Sequence, residues 1–180
     1  MILRNILYRL RGEVTTERLI QRGLIVGNNL TRMQGTIIDD SHPWLIEIGD
    51  NVTLAPRVHI LAHDASTKDY LGYTKIGKVI IGDNVFIGAG TVILPGVCIG
   101  KNSIIGANST VTHDIPIGMV AVGNPAHVIC MTEEYIAKEK ERMAISPCYN
   151  EEYTMRGRID ETKKHQQKED LSKCRIGYVI

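Results

Sequence analysis

The pair His63-Asp64 opens a polar run, AHDASTKDYLGYTK, that covers residues 62–75. An imidazole can take a proton from a hydroxyl group as that group attacks, because its ordinary pKa lies near neutral pH. Asp64 could hold such a ring in one tautomer, or it could cap the start of the loop. Since neighbouring side chains on an extended segment point apart, the cap is favoured. A histidine at the root of a loop can also be an ordinary polar residue, so the residue types alone leave its role open.

An aliphatic residue recurs at every sixth position through the middle of the chain, and a small or β-branched residue stands four places later. An earlier block of the same pattern contains Ile48, Leu54 and Ile60. The aliphatic positions of the main run are Ile81, Ile87, Ile93, Ile99, Ile105 and Val111. A period of six fits neither a helix nor a simple strand. It predicts that the chain turns a corner in each unit, so that three units form a triangular coil and stacked coils form a β-solenoid.

The frame of this repeat slips between Ile60 and Ile81, because their separation of twenty-one residues is not a multiple of six. The break predicts that the polar run leaves the coil as a projecting loop, residues 64–75, with His63 at its root. Loops on a rigid scaffold often carry binding and catalytic groups.

The length, composition and net charge of the chain argue against several classes of function. Its 180 residues, 43% of them hydrophobic, suffice for one sizeable core. The formal net charge is +1 and the basic residues are scattered, so we expect no nucleic-acid partner. The four cysteines form no CxxC pair, which argues against a zinc site or a disulfide framework and favours a cytoplasmic location. No apolar run reaches the roughly 18 residues of a membrane span, so no integral membrane contact is expected.

The segment from Ile81 to Ile129 closely resembles the hexapeptide-repeat acyltransferases. It is similar to the branch that holds maltose, galactoside and polysaccharide O-acetyltransferases and the xenobiotic acetyltransferases. The unbroken hexapeptides, which end in Gly123-Asn124-Pro125-Ala126, carry this resemblance, and it extends over roughly residues 26–130. The resemblance implies an all-β solenoid of the left-handed parallel β-helix type. It also implies a homotrimer with acetyl-CoA in the groove between neighbouring subunits, and no metal.

The resemblance implies that His63 is the catalytic base, because the family's catalytic histidine stands after this type of coil and before the loop. Ala89 matches a position whose backbone meets the thioester end of acetyl-CoA, and Ala107 matches a backbone contact to the pantetheine. Both alanines also suit a crowded corner of the coil. The positions that correspond to the nucleotide end of CoA are Thr112, His113 and His127, where relatives more often carry Lys or Arg.

The segment IIDDSHPWLIEIGDN, residues 37–51, is a candidate for acceptor binding. A sugar commonly meets carboxylates through its hydroxyl groups and an aromatic side chain through its ring face. Asp40 and Asp64 are therefore candidate contacts to the acceptor, although Asp40 also suits a turn. Trp44 is expected to pack in the solenoid.

These patterns predict three parts: an N-terminal helical segment at 1–25, a left-handed β-helix domain at 26–130, and a C-terminal helix with a polar tail at 131–180. The expected function is direct transfer of acetyl from acetyl-CoA to a carbohydrate hydroxyl, because no cysteine takes the place of His63 as a nucleophile. N-acetylation of an amino sugar and acetylation of a xenobiotic are alternatives within this class.

Two other classes of function stay open at this stage. A catalytically silent assembly module would use only the faces of the solenoid. A metal-dependent solenoid of the γ-carbonic-anhydrase type would draw its ligands from His42, His59, His63 and His113.

Overall fold

The computed structural model describes residues 13–180, which form two units, residues 13–132 and 133–180. The expected N-terminal helical segment falls partly outside the described residues. Its described part contains helix α1 (Thr16–Gln21), whose N-terminus is capped by the Thr15 hydroxyl. Among the described residues, no helix has both the length and the apolar character needed to cross a membrane.

The first unit is built from three sheets of short, mostly parallel strands, which the chain visits in a fixed rotation. Sheet A contains β1 (Ile25–Val26), β4 (Ile46–Ile48), β9 (Val79–Ile81) and β12 (Cys98–Ile99). Sheet B contains β2 (Thr31–Arg32), β5 (Thr53–Leu54), β10 (Phe86–Ile87), β13 (Ile104–Ile105), β15 (Met119–Val122) and the antiparallel β16 (His127–Met131). Sheet C contains β3 (Ile37–Ile38), β6 (His59–Ile60), β11 (Val92–Ile93) and β14 (Thr110–Val111). The rotation from A to B to C confirms the corner in each hexapeptide.

The pairing of strands shows where the coil is regular and where residues have been added. Ile87 pairs with Ile105, eighteen residues later, so a regular coil contains 18 residues. Leu54 pairs with Ile87, thirty-three residues later, and Arg32 pairs with Leu54, twenty-two residues later. The two earlier coils therefore hold 4 and 15 additional residues. Both additions lie between a strand of sheet C and the next strand of sheet A, first after β3 and then after β6.

The repeated aliphatic side chains fill the interior of the coil. Those from Ile81 to Val111 are each at most 1% exposed. The small polar residues Thr91 and Ser103 of the same frame are buried as well, and their hydroxyl groups donate to the carbonyl oxygens of Gly106 and Pro116 at 3.0 Å. A buried hydroxyl group that has a partner costs far less than an unpaired one. The inward positions expected from the repeat are confirmed.

Asparagine side chains form a ladder along the corner between sheets A and B. Asn29, Asn51, Asn84 and Asn102 have φ between 54° and 60°, which asparagine tolerates better than most residues. Each of the first three donates its side-chain amide to the next asparagine, at 2.9 to 3.1 Å. The ladder adds side-chain hydrogen bonds to those of the sheets and so helps to hold the coils in register.

The longer addition forms a hairpin that projects from the coil. It begins with β7 (His63–Asp64) and ends with β8 (Lys75–Ile76), which pair antiparallel. Between them lie a 3-10 helix (Ala65–Thr67) and the short helix α2 (Lys68–Leu71). The chain therefore leaves the coil where the frame of the repeat slips.

The second unit contains two helices and a small parallel sheet. Helix α3 (Thr132–Ala144) begins one residue before it, and α4 (Glu161–Lys173) is capped by Asp160 through the Lys163 N–H at 2.8 Å. Strands β17 (Cys148–Tyr149) and β18 (Tyr178–Val179) pair with each other, and a 3-10 helix (Glu151–Tyr153) follows β17. The Tyr149 hydroxyl donates to Asp170 of α4 at 3.0 Å, which ties the sheet to that helix.

Candidate active site

His63 lies at the base of the projecting hairpin, where it meets a carboxylate from the preceding coil. Its Nδ1–H donates to Oδ2 of Asp39, with 2.5 Å between the two atoms. Asp39 follows β3 directly and begins the shorter addition. Because β3 pairs with β6 through Ile38 and Ile60, the two additions leave the same corner on successive coils. The pair therefore results from the stacking of two insertions.

The Asp39 carboxylate is buried and held by several donors. Oδ2 also accepts the backbone N–H of Ala62 at 2.9 Å, and Oδ1 accepts those of Ser41 and His42 at 2.9 and 3.3 Å. Burial raises the pKa of Asp39, but its hydrogen bonds with His63, Ala62 and Ser41 lower it, and the net pKa lies below the usual range. Asp39 is therefore ionised at neutral pH and presents a fixed anionic acceptor to the imidazole.

The Asp39–His63 pair has the arrangement of an oriented general base. With the ring proton on Nδ1, Nε2 carries the lone pair that can accept a proton from a hydroxyl group. The carboxylate also stabilises the imidazolium that this transfer produces. The His63 side chain is 36% exposed, whereas that of Asp39 is 1% exposed. A substrate can therefore reach the ring while the group that orients it stays out of water.

Asp64 points its carboxylate at its own loop. It accepts the Ser66 N–H at 2.8 Å, which caps the 3-10 helix, and forms an ion pair with Lys75 at 2.6 Å. Lys75 is the largest of the causes that hold the pKa of Asp64 well below its usual range. The cap expected from the sequence is confirmed, and Asp39 is the carboxylate that orients His63. A contact of Asp64 with the acceptor stays a prediction.

Asp40 lies beside Asp39 but makes different contacts. Its side chain is 54% exposed, and Oδ2 lies 3.7 Å from Nη1 of Arg22. Exposed ion pairs of this kind contribute little to stability. Asp40 is therefore available to solvent and ligands, and its contact with an acceptor stays a prediction.

Trp44 is 55% exposed, so the expectation that it packs in the solenoid is wrong. It belongs to a 3-10 helix (Pro43–Leu45) that is anchored by the buried ring of Pro43. The Trp44 ring lies against His42, with 5.3 Å between ring centroids, and His42 lies 5.5 Å from His63. Gly23 permits this position because it has no side chain: a Cβ atom on residue 23 would lie only 2.8 Å from the Cβ of Trp44. An open aromatic surface therefore stands next to the candidate base.

Ala89 and Ala107 line one groove of about 530 Å³, together with Arg57, His59, Gly90 and Asn108. The two alanines occupy equivalent corners of successive coils. The residue after each alanine donates its backbone N–H to the preceding coil: Gly90 donates to the carbonyl oxygen of Pro56 at 2.9 Å, and Asn108 donates to that of Ala89 at 2.8 Å. Within the part of the chain that the structure describes, the N–H groups of Ala89 and Ala107 have no hydrogen-bond partner. Both can therefore donate to a ligand in the groove.

The residues expected near the nucleotide end of CoA are not brought together by any contact that the structure describes. Thr112 and His113 follow β14, where Oγ1 of Thr112 lies 2.8 Å from Nδ1 of His113. His127 begins β16 and is exposed. Their role toward CoA stays a prediction.

Asp39 is a candidate functional residue that sequence reasoning missed. A signal for it emerges only when Ile38 is aligned with Ile60, although their separation of twenty-two residues is not a multiple of six. That alignment places Asp39 at the corner where His63 leaves the next coil, with its side chain available to the same insertion.

Comparisons with known proteins agree with this architecture. A family described as bacterial transferase hexapeptide (six repeats) matches residues 78–113. The chain is 37% identical to protein CapG of Staphylococcus aureus over 161 residues, which are 86% of this chain and 88% of CapG. It spans about half the length of the putative acetyltransferases of Bacillus subtilis and Dictyostelium discoideum that it also matches.

Two solved structures are similar in fold to part of this chain. A maltose O-acetyltransferase from Clostridium difficile 630 superposes with a TM-score of 0.55 at 46% identity, over 61% of this chain and 59% of that one. A hexapeptide-repeat acetyltransferase of Vibrio cholerae in complex with acetyl coenzyme A gives a TM-score of 0.55 at 28% identity, over 61% of both chains. Since the match to CapG covers most of both sequences, the chain belongs to the hexapeptide-repeat acyltransferase family, and the resemblance drawn from the sequence is confirmed.

Proposed function

We propose that the protein transfers an acetyl group from acetyl-CoA directly to a hydroxyl group of a carbohydrate, with His63 as the general base. The observation that carries this proposal is the buried, ionised Asp39 hydrogen-bonded to a partly exposed His63. The protein is an acyltransferase by its family, and acetyl-CoA is its acyl donor, which a structural neighbour holds as a ligand. The acceptor class and the role of His63 are the new elements.

The proposed reaction proceeds in a ternary complex. Nε2 of His63 accepts the proton of the acceptor hydroxyl while that oxygen attacks the thioester carbonyl. The carbonyl electrons move onto oxygen and then return as the C–S bond breaks. The departing CoA sulfur takes the proton from the imidazolium and leaves as the thiol, so His63 is neutral again. Asp39 keeps the Nδ1–H bond throughout and stabilises the charged ring between the two transfers.

The tetrahedral intermediate requires a donor for its oxyanion that is already in place before the reaction. The N–H of Ala89 meets this requirement, because it lies in the groove and has no partner among the described residues. The corresponding N–H of Ala107, one coil away, suits a carbonyl of the pantetheine arm. The groove therefore supports the assignment of both alanines to the donor.

The exposed ring of Trp44 supports a carbohydrate acceptor. Sugar-binding sites commonly pair an aromatic surface with carboxylates and other polar groups. Trp44 is linked to His63 through the His42 ring, and Asp40 is exposed on the same lengthened segment between β3 and β4. A structural neighbour is named as a maltose O-acetyltransferase, which is consistent with this acceptor class.

The proposal includes the left-handed sense of the β-helix, its assembly as a homotrimer, and a cytoplasmic location. Ile25, Ile37 and Phe86 face outward from sheets A, C and B, and each is about half exposed. A closed cyclic assembly would cover apolar surface of this kind and would supply a second wall for the donor groove. The four free cysteines support a reducing compartment.

Acetyl transfer should depend on His63. Released CoA thiol is measured for a panel of sugars, nucleotide sugars and xenobiotic alcohols, and we expect turnover with a saccharide class. The His63→Ala variant should lower kcat by at least about a hundredfold, since it removes the base. His165→Ala, which removes an imidazole from the second unit, should keep the wild-type rate. Undiminished turnover in His63→Ala would refute the assigned base.

Loss of the Asp39 charge should impair the same step. In Asp39→Asn the ring loses the anion that orients it and stabilises the imidazolium, so kcat should fall by about a hundredfold per folded molecule. The KM for acetyl-CoA should change little, because Asp39 is buried away from the donor groove. Asp69→Asn, an exposed carboxylate of α2, is the matched control. A variant that lost only donor affinity would contradict the positioning role.

Truncation of Trp44 should weaken binding of the acceptor and leave binding of acetyl-CoA unchanged. Trp44→Ala removes the ring surface, so the KM for the saccharide should rise about three- to tenfold, while the KM for acetyl-CoA stays the same. Trp44→Phe retains an aromatic face, so its KM for the saccharide should lie between those of the wild type and Trp44→Ala. Steady-state kinetics with each substrate varied in turn separate the effects, and an unchanged acceptor KM in Trp44→Ala would remove this residue from the site.

The homotrimer can be tested by sedimentation. We expect a particle with three times the mass of the 20.0 kDa chain at the concentrations used for catalysis. An active monomer would contradict the proposal that a neighbouring subunit completes the donor groove.

A further inference from the structure

Three possible metal ligands converge at the root of the projecting hairpin. Asp39, His42 and His63 each present one donor atom, and these atoms all lie within 4.8 Å of one another. Two imidazoles and one carboxylate form a donor set that suits zinc and related divalent transition metals. Asp39 and His42 belong to the shorter addition, whereas His63 begins the longer one, so this donor set also depends on the stacking of the two additions.

The His42 ring supplies a second and independent observation. Its Nδ1 is buried and has no hydrogen-bond partner among the described residues. Buried polar atoms are normally paired, and an exception needs an explanation. The backbone N–H of His42 bonds to Oδ1 of Asp39 at 3.3 Å, so the segment that carries the ring is fixed beside the carboxylate. A histidine ring that carries an unpartnered nitrogen and stands next to an anion and a second imidazole is suited to take a cation.

We propose that Asp39, His42 and His63 bind one Zn²⁺ ion and that this ion inhibits the enzyme. Tetrahedral zinc with bonds of about 2.1 Å places its ligands about 3.4 Å apart. Nδ1 of His63 and Oδ2 of Asp39, which are 2.5 Å apart, must therefore separate by about an ångström, whereas donor atoms near the 4.8 Å limit must move closer. The His63 side chain is 36% exposed, which gives the ion a path from solvent. Three protein ligands leave a fourth position for water.

Inhibition follows from the nitrogen that the metal would occupy. His63 faces Asp39 with Nδ1, so the ion takes Nδ1 and the remaining ring proton moves to Nε2. A ring in that state has no lone pair for the acceptor hydroxyl, and Asp39 is engaged by the metal. Zinc binding and proton abstraction therefore exclude each other. The inhibition rests on the proposed function, whereas the metal site does not.

The metal site is tested on protein stripped with a chelator. Isothermal titration with ZnCl₂ should give one site per chain, and CoCl₂ should give the intense visible bands of tetrahedral Co²⁺. His42→Ala should weaken zinc binding at least about tenfold, as expected for a lost ligand, while His165→Ala should bind like the wild type. The cobalt spectrum of the wild type keeps the test decisive if His42→Ala fails to fold. Binding that is unchanged in His42→Ala, or cobalt bands typical of six-coordination, would overturn the site.

The inhibition is tested by the release of CoA thiol with and without zinc. Stoichiometric Zn²⁺ should abolish turnover and EDTA should restore it, with the inhibitory zinc concentration raised at least about tenfold in His42→Ala relative to its own zinc-free rate. Turnover that zinc leaves unchanged or increases would overturn the inhibition. Tight zinc binding by a protein that acetylates no acceptor would support the site while it counts against the proposed function.

Discussion

The register between successive coils is the constraint on which the rest of the first unit depends. Neighbouring coils are joined by backbone hydrogen bonds, such as the one from Gly88 N to Ile105 O at 2.8 Å. The spacing is tight enough that a Cβ on Gly88 would lie 2.4 Å from the backbone nitrogen of Ala107. Asparagine amides bridge the same coils along another corner. An insertion at one corner of a coil is therefore held next to an insertion at the same corner of the preceding coil.

The chemistry of the site follows from this vertical alignment. Asp39 and His63 are twenty-four residues apart in sequence, yet each begins an insertion at the corner between sheets C and A. The pairing of β3 with β6 is what places Asp39 next to His63. Burial raises the pKa of Asp39, but its hydrogen bonds with the His63 ring and with backbone N–H groups lower it by more, so the net pKa lies below the usual range. Asp64, one residue after His63, turns instead to Lys75 at the surface. Asp39 is buried and orients the imidazole, whereas Asp64 is partly exposed and stabilises the loop, so the two carboxylates have separate roles.

The sequence was sufficient for the parts of the structure that repeat. A period of six, with inward Ile87 and Ile105, determines the corners, the core and the point where the hairpin must leave the coil. It was insufficient where the period fails. Asp39 and Asp40 are adjacent, and the choice between them depends on which side chain points toward the hairpin. The four additional residues before Ile46 conceal the frame at that point. The exposure of Trp44 was missed for the same reason, because an aromatic residue in an insertion has no inward position to occupy.

The proposed donor groove and the proposed acceptor surface arise from different parts of the chain. At the corner between sheets A and B, the Asp50 N–H is taken by a side chain, Oδ1 of Asp83 at 2.9 Å. At the corner between sheets B and C the equivalent positions of the two following coils are alanines, whose side chains offer no acceptor, and the N–H groups of Ala89 and Ala107 have no hydrogen-bond partner among the described residues. The proposed donor site is thus a property of the repeat itself. His63, Trp44 and Asp40 all stand on insertions, whose length and composition can change without disturbing the coil beneath them. If the groove binds acetyl-CoA and the insertions bind the acceptor, as proposed, one scaffold can keep a single acyl donor while the insertions determine which hydroxyl group is presented to His63.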